Sequence, residues 1–187
     1  IRDSSSSRGL GMCIRDSLQI GKAMAEPKVC VSLEAITVEE MIDEATRANI
    51  AGADYVEVRF DKLYLNKPEP ITMVNDDGEE YSKMPPIEEW GVKDFQEIDV
   101  DQAIANLKEG IPVPVVFTAR AVREGGFFAG TEQERLQILE QGIKSEVSFV
   151  DLELSIEKKS RDKLVKLASS SNCQVIASIH ELSLIHI

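Results

Sequence analysis

The stretch DYVEVRFD, residues 54–61, alternates apolar and charged side chains. A strand repeats its side-chain direction every second residue, so Val56, Val58 and Phe60 share one face and Glu57, Arg59 and Asp61 the other. Three later segments repeat the pattern. VPVVFTAR (113–120) sets Val115, Phe117 and Ala119 against Thr118 and Arg120. SFVDLEL (148–154) sets Val150, Leu152 and Leu154 against Asp151 and Glu153, and QVIASIH (174–180) sets Val175, Ala177 and Ile179 against Ser178 and His180. A shorter run, KVCVSL (28–33), places Ser32 on the polar side.

Helical periodicity fills the gaps. TVEEMIDEATRANIAG (37–52) has Val38, Met41, Ile42 and Ala45 at helical spacing, opens on a capping-box pair, Thr37 and Glu40, and ends at Gly52. VDQAIANLKEG (100–110) carries the stripe Val100, Ala103, Ile104 and Leu107. TEQERLQILEQGI (131–143) opens on a second such pair, Thr131 and Glu134, and RDKLVKLASSS (161–171) predicts a fourth helix.

The order β-α-β-α-β-α-β-α-β demands parallel pairing, in an open doubly wound sheet or in a (β/α)8 barrel. No strand is followed by G-x-G-x-x-G or a Walker loop, which weakens nucleotide-binding readings. Strands covered on both sides should be apolar on both faces. A polar face repeated on five strands points instead to convergence on a polar lumen, with charges late in each strand, where barrel sites are built. The expected fold is therefore α/β, of the (β/α)8 TIM barrel family, with about the first five strands and four helices present. Five strands do not close such a barrel, and open edges leave backbone groups unpaired.

Bulk numbers narrow the function classes. The 187 residues suffice for one domain with a real core. Lys+Arg 21 against Asp+Glu 33 gives a net charge of −12, a surface that repels a phosphate backbone, so no nucleic-acid partner is expected. No run of about 18 apolar residues predicts a membrane span, and the N-terminus lacks an apolar signal core. Cys13, Cys30 and Cys173 show no C-x-x-C spacing, which fits a reduced, cytoplasmic setting. Cys30 and Cys173 are read as core and helix-end residues, not nucleophiles.

The two ends read differently. IRDS occurs at 1–4 and again at 14–17. MCIRDS (12–17) can be written ATG TGT ATA AGA GAC AGN, and LSLIHI (182–187) CTG TCT CTT ATA CAC ATC. The second string is the reverse complement of GATGTGTATAAGAGACAG, which contains the first and resembles the end of a transposon-based sequencing adapter. Residues 1–17 and 182–187 are thus expected to be translated adapter, the alternative being a disordered head and an apolar tail. On this reading His186 is not native sequence, and 18–181 is the front part of a longer domain. Within it, residues 62–99 exceed a usual βα loop and hold Pro68, Pro70, Pro85, Pro86, the turn NDDG (75–78) and the only tryptophan, Trp90. Two roles fit: a lid on the catalytic side, or an acidic surface insertion with a small hairpin.

Taken singly, the candidate residues are weak signals. A strand-end histidine is commonly structural, an E-x-R-x-D run can be an ion-pair ladder, and E-G-G can be only a turn. Together Glu57, Arg59, Arg120, Glu124 and His180 are expected around one strand-end cavity, a cluster costly to desolvate unless function retains it. EVRFD (57–61), FTARAVREGG (117–126), VDLEL (150–154) and IASIH (176–180) resemble type I 3-dehydroquinate dehydratase in order and spacing, and PKVCVS (27–32) resembles its first strand. The resemblance spans nearly all of 27–181. It implies a (β/α)8 barrel of the shikimate pathway, a homodimer when full-length. That enzyme would remove water from 3-dehydroquinate to give 3-dehydroshikimate through a lysine Schiff base, without metal or cofactor.

The resemblance implies roles position by position. His180 is similar to the family's general acid/base, a task suited by an ordinary pKa near working pH. Glu124 is similar to the carboxylate that orients it. Glu57, Arg59, Arg120 and Ser32 are similar to its substrate-contacting residues, and Asp61, Asp151 and Glu153 are assigned to structural support. Ile179 and Glu181 depart from the family's usual residues there. The Schiff-base lysine and a later carboxylate-binding arginine are expected on strands this chain lacks. Lys163 and Lys166 lie on a helix flank and are poor substitutes, so this chain is expected to be inactive. Two other readings stand beside this one. A metal-assisted barrel lyase or aldolase would use Glu57, Asp61, Asp151 and Glu153 around a divalent cation, although Arg59 and Arg120 would crowd it. A non-catalytic half-barrel would self-associate through its open edges.

Overall fold

The computed structural model describes residues 27–180. The readings made for 1–17 and 182–187, with Cys13, Glu181 and His186, lie outside the described residues. Five strands form one parallel sheet: β1 (Cys30–Ser32), β2 (Tyr55–Arg59), β7 (Val115–Thr118), β8 (Phe149–Glu153) and β9 (Gln174–Ser178), in that spatial order. Between them run α1 (Val38–Ile50), α2 (Val100–Gly110), α3 (Glu132–Lys144) and α4 (Lys158–Ser169). All nine expected elements form. Helix α4 begins three residues before the expected start at Arg161. Arg161 instead lies inside the helix and donates to the carbonyls of Leu154 and Ile156, anchoring the turn to β8.

The helix side of the sheet is the core. Val56, Val58, Phe60, Phe117, Val150 and Leu152 are fully buried against Met41, Ala45, Ile104, Ile138, Leu139 and Ile143 from the helices. The expected cap of α3 forms as a full capping box between Thr131 and Glu134. At α1 only half of the expected box exists: Thr37 accepts from the Glu40 amide, and no reciprocal bond is made. The apolar face is also not covered on every strand. Val175 is 37% exposed, Leu154 48% and Ile179 65%, because no described helix lies over the outer edge at β9.

The opposite face is layered rather than uniformly polar. Register sets Val116 beside Phe149, with Glu57 and Gln174 flanking that pair at the same level. Tyr55 and Phe149 meet edge to face, with ring centroids 5.4 Å apart. The charged and hydroxyl groups gather toward the C-terminal strand ends: Ser32 beside Glu57, Arg59 beside Thr118, Glu153 beside Ser178. Period two alone assigns side chains to a face, but not the level at which that face turns from apolar to polar.

Residues 62–99 hold small ladders of their own. β3 (Leu65–Asn66) pairs antiparallel with β6 (Gly91–Val92), and β4 (Ile71–Val74) pairs with β5 (Glu80–Lys83). The β4–β5 turn is built by Asn75, whose side-chain oxygen accepts from the amides of Asp77 and Glu79, while Gly78 takes a positive φ of 81°. Every residue of β4 and β5 is exposed. The expected small hairpin thus forms as an exposed ladder, and among the described residues no hydrogen bond or ion pair joins it to the strand-end cluster.

Helix α3 approaches the sheet closely at Gly142, where a Cβ would lie 2.8 Å from the ring of Phe117, itself buried between layers. Gly142→Ala should therefore destabilise the fold by about 1–3 kcal/mol, despite alanine's better helix propensity. Urea unfolding would measure it, and a variant as stable as the parent would show that the layers can part without cost.

Candidate active site

The C-terminal ends of β2, β7 and β8 converge on Arg120. Its Nη2 lies 3.4 Å from Glu57 Oε1 and 3.4 Å from Asp151 Oδ2, and its Nε lies 3.7 Å from Glu153 Oε1. Thr118 donates to Glu57 Oε1 at 2.9 Å, fixing that carboxylate from the neighbouring strand. A cation among Glu57, Asp151 and Glu153 would have to displace this guanidinium, a physical argument against the metal-assisted reading.

Arg59 and Asp61 form a fork two residues apart on β2's end, with Nε–Oδ1 at 3.0 Å and Nη2–Oδ2 at 2.7 Å. Burial works against the Arg59 cation, but Asp61, with Glu57 and Glu34 beyond it, raises its pKa above the ordinary arginine value. Asp61 is fully buried and also accepts from the Phe127 amide at 3.0 Å. That bond ties β2 to the loop after β7.

The loop itself explains the E-G-G motif. A short 3-10 turn over Val122–Glu124 ends at Gly125, which takes a left-handed φ of 75°. At Gly126 a Cβ would stand 2.2 Å from the Arg120 carbonyl oxygen, so only glycine lets the loop fold back on the strand. The fold-back is held by Gly126 N–H to the Ala121 carbonyl and Phe128 N–H to the Arg120 carbonyl. It brings Glu124 Oε2 to 3.7 Å from His180 Nδ1 at the end of β9. That is ion-pair distance, and Nδ1 has no hydrogen bond.

Of the expected site residues, Glu57, Arg120, Asp151 and Glu153 form one contact set, Glu124 and His180 a second, and Arg59 with Asp61 a third. Ser32 sits beside Glu57 in register and is exposed, and its hydroxyl makes no hydrogen bond among the described residues. A separate cavity of about 100 Å³, lined by Val58, Ile104, Leu107 and Phe117, lies on the helix side of the sheet and carries none of these residues. Buried polar atoms without a hydrogen-bond partner gather instead at the strand ends: Arg120 Nε, Asp151 Oδ1, both Glu153 carboxylate oxygens, Ser178 Oγ and His180 Nδ1. Unsatisfied groups are rare in folded interiors, and a cluster of them calls for a functional explanation.

The model of the type I 3-dehydroquinase family matches residues 29–184. The chain belongs to the type I 3-dehydroquinase family. It is 29% identical over 167 residues to the 3-dehydroquinate dehydratase of Methanosarcina acetivorans, covering 88% of this chain and 56% of that protein. To the 3-dehydroquinate dehydratase of Desulfotalea psychrophila it is 28% identical over 158 residues, covering 84% and 53%. The solved 3-dehydroquinate dehydratase of Enterococcus faecalis superimposes with a TM-score of 0.61 at 22% identity, over 84% of this chain and 55% of that one. That likeness shows the barrel fold. The chain spans about half the length of the curated relatives it matches.

This family member also carries charged residues at the site that motif reading passes over. Arg135, on α3, is 1% exposed. Its Nε and Nη2 grip Glu132 at 2.9 and 2.7 Å, and its Nη1 donates to the Ala119 carbonyl at 2.9 Å. Nη1 also lies 2.9 Å from Glu153 Oε2, an ionic contact whose angles do not make a hydrogen bond. Glu132 in turn accepts from Arg123 of the E-G-G loop at 3.0 Å. The signal was in the sequence: Arg135, Ile138, Leu139, Gly142 and Ile143 occupy one helical stripe, so a charge heads an otherwise apolar face.

These charges have opposite consequences for pH. Burial pushes the Glu153 carboxyl up, and the nearby carboxylates of Glu124 and Asp151 add to the shift against the pull of Arg135 and Arg120. Glu132 is half-buried, which works against its charge, yet Arg135 and Arg123 hold its carboxyl below the ordinary value of 4.5. A depressed folded pKa contributes stability above 4.5 that is lost as pH falls through the folded value. Glu132→Gln should lower the urea midpoint at neutral pH, and its deficit should shrink as pH drops below 4.5. A deficit independent of pH would remove the charge pair as its cause.

Proposed function

We propose that the whole protein carrying this segment is a 3-dehydroquinate dehydratase, a hydro-lyase converting 3-dehydroquinate to 3-dehydroshikimate and water in the shikimate route to aromatic amino acids. The observation that carries the reading is the cluster of unsatisfied polar atoms at the strand ends, in a chain of this family. A polyhydroxylated, anionic substrate is the kind of molecule such a surface accommodates. Arg59, Arg120 and Glu57 would meet its ring oxygens, with Ser32 contributing at the rim. His180 would remove the proton next to the ketone and return it to the departing hydroxyl, and Glu124 would orient the ring and stabilise its charged form.

The reaction needs an electron sink for the carbanion, in this family a lysine imine. Lys62 is the one buried lysine among the described residues, and its Nζ is bound to Glu34 at 2.6 Å. On this reading the imine lysine comes from a further strand of the whole protein, as the family resemblance implies, and the whole protein is a cytoplasmic homodimer. Among the described residues no helix is long and apolar enough to cross a membrane.

The whole protein should generate the conjugated enone product from 3-dehydroquinate, seen as rising ultraviolet absorbance, and sediment as a dimer. His180→Ala should lower kcat by roughly 10²–10⁴-fold, the usual weight of a general acid/base. Absence of enone from the folded, unsubstituted protein would overturn the activity. The 187-residue chain alone, treated with 3-dehydroquinate and borohydride, should show no mass increase. A covalent adduct would place the imine lysine inside this segment.

A further inference from the structure

We infer that Arg135 is a positioning residue of the site: it reaches from α3 through the sheet wall and holds the strand end of Glu153 and the loop of Glu124 in one arrangement. The inference rests on the dehydratase reading only for its kinetic consequence. Its geometry stands alone.

Three observations carry it. First, Arg135 is buried on the helix-facing side, yet its partners lie at the lumen end of two strands: the Ala119 carbonyl, one residue before Arg120, and the Glu153 carboxylate. A guanidinium that only balanced Glu132 would have no reason to leave the helix surface, where Glu132 is partly exposed. Second, Arg135 heads a chain of contacts that ends on the catalytic loop. Glu132 accepts both of its fork donors and also binds Arg123, which immediately precedes Glu124. Third, Glu153 depends on it. Glu153 is 2% exposed, neither of its oxygens has a hydrogen bond, and its other cation, Arg120 Nε, is farther away at 3.7 Å and shared with Glu57 and Asp151. Without Arg135, Arg120 becomes the sole counter-charge to Glu153 and is drawn from Glu57, the carboxylate it holds in place for substrate. A buried carboxylate stripped of its partner is strongly unfavourable, so this rearrangement has a large driving force.

Arg135 thus acts through Arg120 on one side and through Glu132 and Arg123 on Glu124 and His180 on the other. It touches no reacting atom. Misplacement by about an ångström costs roughly 100-fold in rate.

The test uses the whole protein with two readouts. In Arg135→Met, kcat/KM for 3-dehydroquinate should fall roughly 10–100-fold, and the His180 ring resonances, assigned by their loss in His180→Asn, should shift. Adding Glu153→Gln, which removes the stranded charge, should bring the resonances back toward their original positions and recover at least part of the rate. A purely structural arginine would lower the unfolding midpoint while leaving the rate and the His180 signals unchanged, and that result overturns the inference. Should Arg135→Met not fold, Arg135→Lys decides: it keeps the charge but loses the fork, so an unaltered kcat and unaltered His180 signals would refute the role. If the unsubstituted protein makes no enone, the dehydratase reading fails, while the His180 resonances still decide the role of Arg135.

Discussion

A charge withdrawn from water must meet an opposite charge at close range, and that constraint organises the upper half of this sheet. Three guanidinium groups, those of Arg59, Arg120 and Arg135, stand among a larger number of carboxylates. Arg59 takes Asp61, Arg120 takes Glu57 with Asp151, and Arg135 takes Glu132, while Glu153 is shared between Arg120 and Arg135. Glu153 is the carboxyl whose affinity for a proton rises, chiefly because it is buried, with the neighbouring Glu124 and Asp151 adding to the shift. The strand ends are therefore cross-linked electrostatically, while Tyr55 and Phe149 meet edge to face lower on the same side of the sheet.

Much of this was legible in the chain. Period-two alternation in DYVEVRFD assigned Val56 and Val58 to the helix side and Glu57 and Arg59 to the other, because strand geometry leaves no other choice. The stripes of α1, α2 and α3 followed from helical period for the same reason. Three things did not follow. The start of α4 depends on Arg161 capping carbonyls of the preceding turn, a tertiary event rather than a periodicity. The exposed outer face of β9 depends on what lies beside it, which alternation cannot state. Arg135 was hidden by the habit of reading charges on amphipathic helices as solvent-facing, although its place in the Ile138, Leu139, Ile143 stripe marked it as buried.

The loop after β7 shows how a motif carries a constraint that its letters do not spell out. The Glu124 carboxylate reaches His180 just past the end of β9, two strands away in the sheet order. The reach is obtained by folding the loop onto Arg120's own backbone, which is why Gly126 admits no side chain. The same fold-back presents the Phe127 amide to Asp61. One carboxylate thereby fixes both the arginine at the end of β2 and the loop that bears Glu124.

It follows that the three contact sets are not independent. Asp61 couples Arg59 to the loop, Glu132 couples Arg123 of that loop to Arg135, and Glu153 couples Arg135 to Arg120. The path closes on itself because Arg120 supplies the carbonyls and strand end from which the loop departs. The Arg123–Glu132 link of this ring is exposed, but its Arg120, Glu153 and Arg135 part is buried, and none of those three can shift alone without stranding a neighbour's charge. Donors and counter-charges already in place need not reorganise when charge develops beside them. The ring is complete within residues 59–153 and excludes His180, which the end of β9 brings to the Glu124 carboxylate from outside it.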